Sequence, residues 1–382
     1  MRKFPGLVLL ILLPLLGGCW NLQEVGDIAV AAGLGVDYIA PNQVEFTAQV
    51  VEPQPAQETG AAQVRPLAFS ARGSTPSLAA RHIMLSFPRV PQWAHASVYL
   101  LGEDLARHDL SLVTDHLAGS RTVRPHADLL IVKEGTARQA LETRDLLSGG
   151  SARELQVLVR LQEVQRGTYV PVTISEFLLK ASTPGVEPVI PQIKITTSNG
   201  QPVLRLEGLA VLKGNKMVGS LDEKEARGYR WLQPKYPKGG ISITTHQQKS
   251  EYHVVVQISR FRSQTKVQMV DGKIKVRLKV YASANFLEQQ GPAAPLNEER
   301  RRELEQAVSR SIASDIRAGI NKSQQLNSDI LGWGRLLYRT HPELWQRIRA
   351  DWSRIYPTVE YQVQVQTTLD RTYLDRGAIP IR

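Results

Sequence analysis

The chain has 382 residues, 42% of them hydrophobic and 22% charged, with a single cysteine. This is an ordinary globular composition, long enough for two or three domains with substantial apolar cores, and one cysteine excludes an intramolecular disulfide. A net charge of +11 would suit a nucleic-acid binder, but no zinc-finger spacing or RNA-binding aromatic motif accompanies it, so nucleic acid is set aside.

At the start, Arg2 and Lys3 precede the apolar run Leu7-Val8-Leu9-Leu10-Ile11-Leu12-Leu13, and Leu16-Gly17-Gly18-Cys19 closes it. This pattern reads as an export leader over residues 1–18. The run is too short to cross a bilayer, which takes roughly 20 apolar residues. A small-residue pair directly before the only cysteine fits the bacterial pattern in which the thiol is diacylglycerylated and the leader removed. Cys19 is therefore the predicted lipidation site. Two acyl chains hold durably where one holds marginally, so the predicted membrane anchor is covalent lipid. An ordinary secretory signal with an incidental cysteine is the plainer alternative.

Residues 28–37 read as a buried strand, and Val44–Val51 as its partner across a Pro41-Asn42 turn. Residues 52–66, with Pro53, Pro55 and Pro66 amid Gln, Ala and Gly, have the composition of an exposed loop. A helix is expected from about Ser77, with Leu78, Ile83 and Leu85 as its apolar positions. Strands follow at Ser97–Gly102 and Asp128–Val132, separated by a helix over Leu105–Ser120 with Leu105, Leu112, Val113 and Leu117 near one face. Alternation of strand and helix argues for a mixed α/β region. Another helix is predicted around 150–165. The four prolines between Pro184 and Pro202 mark the best linker candidate, which divides the mature chain into an N-terminal region, 19–198, itself one or two domains, and a C-terminal domain, 203–382.

The C-terminal half changes character. Over 203–382 it carries 30 Lys and Arg against 18 Asp and Glu, whereas 19–202 carry 15 basic and 18 acidic residues, giving +12 and −3. Val203–Leu212 and Met217–Gly219 flank Gly214-Asn215-Lys216, a hairpin signature. Tyr252–Ile258 and Lys266–Val270 read as strands, and Asp271-Gly272 joins the second to Ile274, Val276, Leu278 and Val280, which alternate with Lys273, Lys275, Arg277 and Lys279. One face is apolar and the other a basic ladder, able to lean toward anionic headgroups or an acidic partner, or simply to be solvated. Asn297 is a predicted N-cap with Glu298 and Glu299 in the first turn. Leu304, Val308, Ile312, Ile316 and Ile320 then form a four-residue stripe, which is core packing far more often than a partner groove. A last strand, Val359–Leu369, is expected to lie against that stripe. The fold class is α+β, with mixed and antiparallel sheets and packed helices.

No catalytic or metal constellation emerges. The eight histidines show no metal-site spacing, Ser148-Gly149-Gly150-Ser151 lacks the lysine of a phosphate loop, and no nucleophile elbow or dinucleotide fingerprint is present. Asp222-Glu223 reads as solvated charge in a polar turn. The reading is a non-enzyme with no cofactor and no metal. Two rivals stay open: a substrate-binding lipoprotein of a transporter, and a lipid-anchored hydrolase whose groups converge only in the fold.

From Cys19 to the end, the chain resembles the Ger(x)C family, the lipoprotein C subunits of spore germinant receptors. The resemblance is carried by Cys19-Trp20-Asn21-Leu22-Gln23-Glu24-Val25, Gly33-Leu34-Gly35-Val36-Asp37, Ser70-Ala71-Arg72-Gly73, Ala94-His95-Ala96 and Leu101-Gly102-Glu103. It continues in Glu207-Gly208-Leu209-Ala210-Val211-Leu212-Lys213, Lys216–Leu221, Glu225-Ala226-Arg227-Gly228-Tyr229-Arg230-Trp231, Ser328-Asp329-Ile330-Leu331-Gly332-Trp333-Gly334, Pro342-Glu343-Leu344-Trp345 and Trp352. Asn21 in place of the usual Asp is one departure, Leu209 another. The resemblance implies lipidation at Cys19, a place on the outer face of the inner spore membrane, work with multispanning A and B subunits in nutrient-triggered germination, and no catalysis. Gly73, Gly208 and Gly228 are expected to serve backbone geometry, and Trp231, Trp333 and Trp345 packing.

Overall fold

Strands that are apolar on both faces need cover on both sides, and the first part of this chain is built on that rule. The computed structural model describes residues 27–53, 64–120, 123–143, 149–162, 167–233, 239–247, 250–290 and 297–372. β1 (Ile28–Ala40) and β2 (Gln43–Pro53) form an antiparallel hairpin, and β3 (Val64–Gly73) pairs along β2. The turn between the first two puts Asn42 at φ 56°, a left-handed conformation that Asn tolerates. β4 (Val90–Gln92) and β5 (Val98–Gly102) run parallel to β1, β6 (Asp128–Val132) parallel to β5, and β7 (Val189–Ser198) parallel to β6. β8 (Gln201–Lys213) and β9 (Lys216–Leu221) close the edge as antiparallel strands. The order is β3-β2-β1-β5-β6-β7-β8-β9, with β4 beside β1.

Helices fill the connections: α1 (Pro76–Ile83), α2 (Glu103–His108), α3 (Ser111–Gly119), α4 (Ala137–Glu142), α5 (Ser151–Leu161), α6 (Ile174–Ala181) and α7 (Glu223–Arg230). Tyr99 and Leu101 face a core with Ile83, Leu105, Val113, Leu117 and Phe177, from α1, α2, α3 and α6. Val98 and Leu100 face the opposite core with Leu141, Leu155, Val159 and Tyr229, from α4, α5 and α7. The result is three layers.

The second sheet has the order β10 (Gly239–Gln247), β11 (Ser250–Val270), β12 (Lys273–Gln290), β13 (Glu360–Thr372). Asp271 and Gly272 lie at φ 51° and 73°, as the two central residues of a primed hairpin turn require. α8 (Glu298–Gln325) starts where Asn297 accepts from the Arg300 N–H at 2.9 Å. Its stripe of Leu304, Val308, Ile312, Ile316 and Ile320 packs in one core with Ile274, Val276, Leu278 and Val280 of β12. α9 (Trp333–Thr340), α10 (Pro342–Ile348) and α11 (Trp352–Ile355) return the chain to β13, which runs parallel to β12. The α+β class with mixed sheets is as expected.

Several expectations need correction. The proline-rich stretch is not a linker: β7 lies within the first sheet and forms a hairpin with β8 through Asn199 and Gly200, at φ 50° and 75°. Pro191 is accommodated at a register shift between Pro191 and Ile193, a position where a missing N–H breaks no ladder bond. The first sheet thus continues past residue 203 to Leu221. The loop expected over 52–66 is shorter, since 52–53 and 64–66 are paired strand; 54–63 lie outside the described residues. The expected helix 105–120 is two helices broken at Asp109-Leu110. In α1 the buried positions are Pro76, Ala79, Ala80 and Ile83, while Leu78 and Leu85 are exposed. Tyr252–Ile258 and Lys266–Val270 belong to one 21-residue strand, which absorbs an extra residue between Ile258 and Arg260.

Candidate functional site

The residues that carry the family resemblance meet at three joints. At the first, β1 passes under α4 and α5. A Cβ on Gly33 would lie 2.6 Å from the Ala152 Cβ, and one on Gly35 would lie 2.7 Å from the Ala137 Cβ. The two glycines therefore let helices sit directly on the strand. Asp37, 3% exposed, accepts from the Ala137 and Arg138 N–H groups at 2.7 and 3.0 Å, satisfying donors that a helix start leaves unpaired. Gly102 leaves the space that the Asp37 carboxylate fills. Burial pushes the Asp37 pKa up to about 6, against the pull of the two N–H donors.

At the second joint, α7 crosses α8. Arg227 makes a two-pronged ion pair with Asp315, its Nε at 2.8 Å and its Nη2 at 3.2 Å from the two carboxylate oxygens. Gly228 has no room for a side chain against the Asp315 carbonyl, and a Cβ on Gly319 would lie 2.8 Å from the Glu225 carbonyl oxygen. Gly228 thus serves close helix approach rather than special dihedrals. So does Gly73, whose Cβ would meet the Ala79 nitrogen at 2.6 Å, whereas Gly208 does hold a left-handed φ of 89°. Asp222, expected as solvated charge, caps α7 in a reciprocal box with Glu225.

The third joint is a carboxylate hub. Asp329, 5% exposed, accepts from Trp333 N–H at 3.0 Å, Gly334 N–H at 2.7 Å and the Trp352 indole N–H at 3.1 Å. Its own carbonyl accepts from Glu187 N–H at 2.9 Å, and Arg335 N–H donates to the Gly185 carbonyl at 2.7 Å. Gly185 and Gly334 are in backbone contact that any side chain on Gly185 would break. Beside them Ser328 Oγ donates to the Leu212 carbonyl, and Lys213 Nζ donates to Ser353 Oγ at 2.8 Å. The segment before β7, the end of β8 and the C-terminal helices are therefore one hydrogen-bonded unit. Trp345, Trp352, Tyr356 and Trp333 form a chain of rings with centroids 5.6, 5.9 and 5.6 Å apart. Burial pushes Asp329 up to about 7, opposed by its N–H donors. The cleft alongside is bounded by Glu187, Lys213, Arg349, Trp352 and Ser353.

Chemically, the arrangement clamps elements together. Among the described residues, the hydrogen bonds to the Asp37 and Asp329 carboxylates come from backbone or indole N–H groups, as a helix cap requires. Among the described residues no group of three or more His, Cys, Asp or Glu could hold a metal ion, and no helix is long and apolar enough to cross a membrane. His116 Nδ1 lies 2.9 Å from Ser77 Oγ, but its Nε2 has no hydrogen-bond partner among the described residues, and its ring packs near Phe46 and Tyr99. Among the described residues no carboxylate bonds to that imidazole as nucleophilic catalysis requires, and burial pushes its pKa down to about 4. Cys19, with the Trp20–Val25 signature, lies outside the described residues. Sequence reasoning missed Asp315 and Gly319; the available signal was a glycine inside a long helix, which is unfavourable unless packing needs it.

Two family models match in chain order: "Spore germination protein N-terminal domain" over residues 21–195 and "Spore germination B3/GerAC like, C-terminal" over 207–373. The chain is 22% identical to spore germination protein KC of Bacillus subtilis (strain 168), over 97% of this chain and 96% of that one. It is 20% identical to spore germination protein B3 of the same organism, over 94% and 95%. The solved structure of the GerBC protein shares the fold, with a TM-score of 0.59 at 17% identity, covering 92% of this chain and all of that one. The chain belongs to the B3/GerAC-like family of spore germination proteins, the Ger(x)C family of germinant-receptor C subunits.

Proposed function

We propose that the protein is a lipid-anchored, non-catalytic subunit that works with multispanning A and B subunits in nutrient-triggered germination, tethered through diacylglyceryl on Cys19 to the outer face of the inner spore membrane. The observation that carries this reading is the end-to-end match to both family models in order. The composition of the three joints supports it: family-signature carboxylates and glycines hold elements together and present no reacting group to a substrate. In mechanism the protein is a scaffold. A tether confines the body near its partners and raises its effective concentration, so that a modest interface suffices.

The test is Cys19→Ala in the spore former. The variant should leave the membrane fraction, and nutrient-triggered germination should fall. A variant found free of the membrane with a full germination response would overturn the proposal.

A further inference from the structure

Among the described residues, the second sheet is covered on one face by α8 and open on the other. On the open face β12 presents Lys273, Lys275, Arg277 and Lys279 at every second position, about 6.6 Å apart along an extended strand. β11 adds Arg262 opposite Tyr281 and Lys266 opposite Arg277. Glu360 reaches Lys275 at 3.3 Å, and Asp370 reaches Arg260 at 2.9 Å. Arg262, Lys266, Arg277 and Lys279 hold no ion pair among the described residues. Two cations in register across adjacent strands, Lys266 and Arg277, lower sheet stability. A local rule broken with no gain to the fold marks a functional surface.

Apolar groups lie within this field. Tyr281 is 43% exposed among the arginines, and Val270, in register with Lys273 at the β11–β12 hairpin tip, is 37% exposed. Cations interleaved with exposed aromatic and aliphatic side chains suit the headgroup layer of a bilayer. The cations are spread as an array over two strands, whereas a single acidic ligand needs donors that converge.

We infer that this open face docks on anionic phospholipid headgroups, with Arg262, Lys266, Arg277 and Lys279 on the phosphates and Tyr281 and the hairpin tip at the interface. The inference rests on the lipid-anchored reading above and adds a second, orienting contact to the tether, in the way that one lipid anchor and a basic patch reinforce each other.

The test uses the mature chain, residues 19–382, with Cys19→Ala, so that no acyl group contributes and its outcome is separate from that of the anchor test. Sedimentation with vesicles of phosphatidylcholine, with and without phosphatidylglycerol, should show binding only to the anionic vesicles, released by high salt. Arg262→Gln, Arg277→Gln and Lys279→Gln together should weaken that binding on the order of a hundredfold, with the circular dichroism spectrum unchanged. Cys19→Ala leaves the chain without cysteine, so Tyr281→Cys carries a single environment-sensitive label. Its emission should shift to the blue on anionic vesicles, while a label on Leu179→Cys, at a site 62% exposed elsewhere, should not respond. Equal binding to both vesicle types, an unaffected triple variant, or labels that respond alike would overturn the inference. Retention on immobilised polyglutamate without vesicle binding would also overturn it and assign the face to an acidic protein.

Discussion

The two sheets use opposite solutions to the same problem. In the first, neighbouring residues point into different cores: Leu100 and Leu101 are both fully buried, one under α4 and α5, the other against α1, α2 and α3. In the second, Leu278 is fully buried and Lys279, next to it, faces outward. A sheet clad on both sides has committed its surface to stability. One clad on a single side leaves its other face exposed among the described residues, and that is the face proposed above as a docking surface.

The largest effects should come from single residues that expose this contrast. Leu100→Ala and Leu101→Ala should each cost about 3 kcal/mol, because each leaves a cavity in a separate core. Leu278→Ala should cost about the same, whereas Lys279→Ala should stay within about 0.5 kcal/mol. Urea midpoints measure all four, and a tolerant Leu100 or Leu101 would break the comparison. At the α7–α8 joint, Arg227→Met should cost about 3 kcal/mol, since it leaves Asp315, 2% exposed, as a buried charge without its partner. Changing Asp315→Leu in the same chain should recover part of that loss.

How much of this contrast the sequence revealed follows from the same physics. The second sheet was legible because one-sided burial writes a period of two: Ile274 to Val280 alternate with Lys273 to Lys279, and the four-residue stripe of α8 names its own packing partner. In the first sheet, two-sided burial erases the period, and strands such as Val98–Gly102 show only as short apolar runs. The prolines then misled. Pro184, Pro188, Pro191 and Pro202 suggested a linker, but the Asn199-Gly200 pair was the stronger signal, a hairpin turn between two strands of one sheet. The motifs located the joints without disclosing their chemistry. Nothing local in Ser328-Asp329 says that its carboxylate will receive an indole N–H from Trp352, 23 positions on.

A smaller effect should appear in the pH dependence of the hub. Burial raises the Asp329 pKa from 3.8 to about 7, so the folded chain binds this proton more tightly than the unfolded one. Its contribution to stability is therefore fully present below about pH 4 and is lost as pH rises toward and through 7. Asp37, raised to about 6, acts in the same direction. His116 acts in the opposite one: with a pKa lowered from 6.5 to about 4, its contribution is present above 6.5 and is lost as pH falls through 4. The total curve mixes these slopes. The measurement is accordingly the difference in urea midpoint between the native chain and Asp329→Asn, which should narrow as pH rises from 4 to 7; a difference constant over that range would remove Asp329 as a titrating group.

The smallest expected effect has an unusual sign. Replacing a charged residue usually does nothing or harm, but Arg277 sits in register with Lys266, and like charges directly opposite each other repel across the ladder. Arg277→Gln removes that repulsion, keeps a long polar side chain on the solvent face and leaves the apolar face untouched. Stability should rise by about 0.2–1 kcal/mol, and the gain should shrink with added salt as the repulsion it relieves is screened. A loss instead would mean that Arg277 supports the fold, and the open face would then be structural like its opposite side.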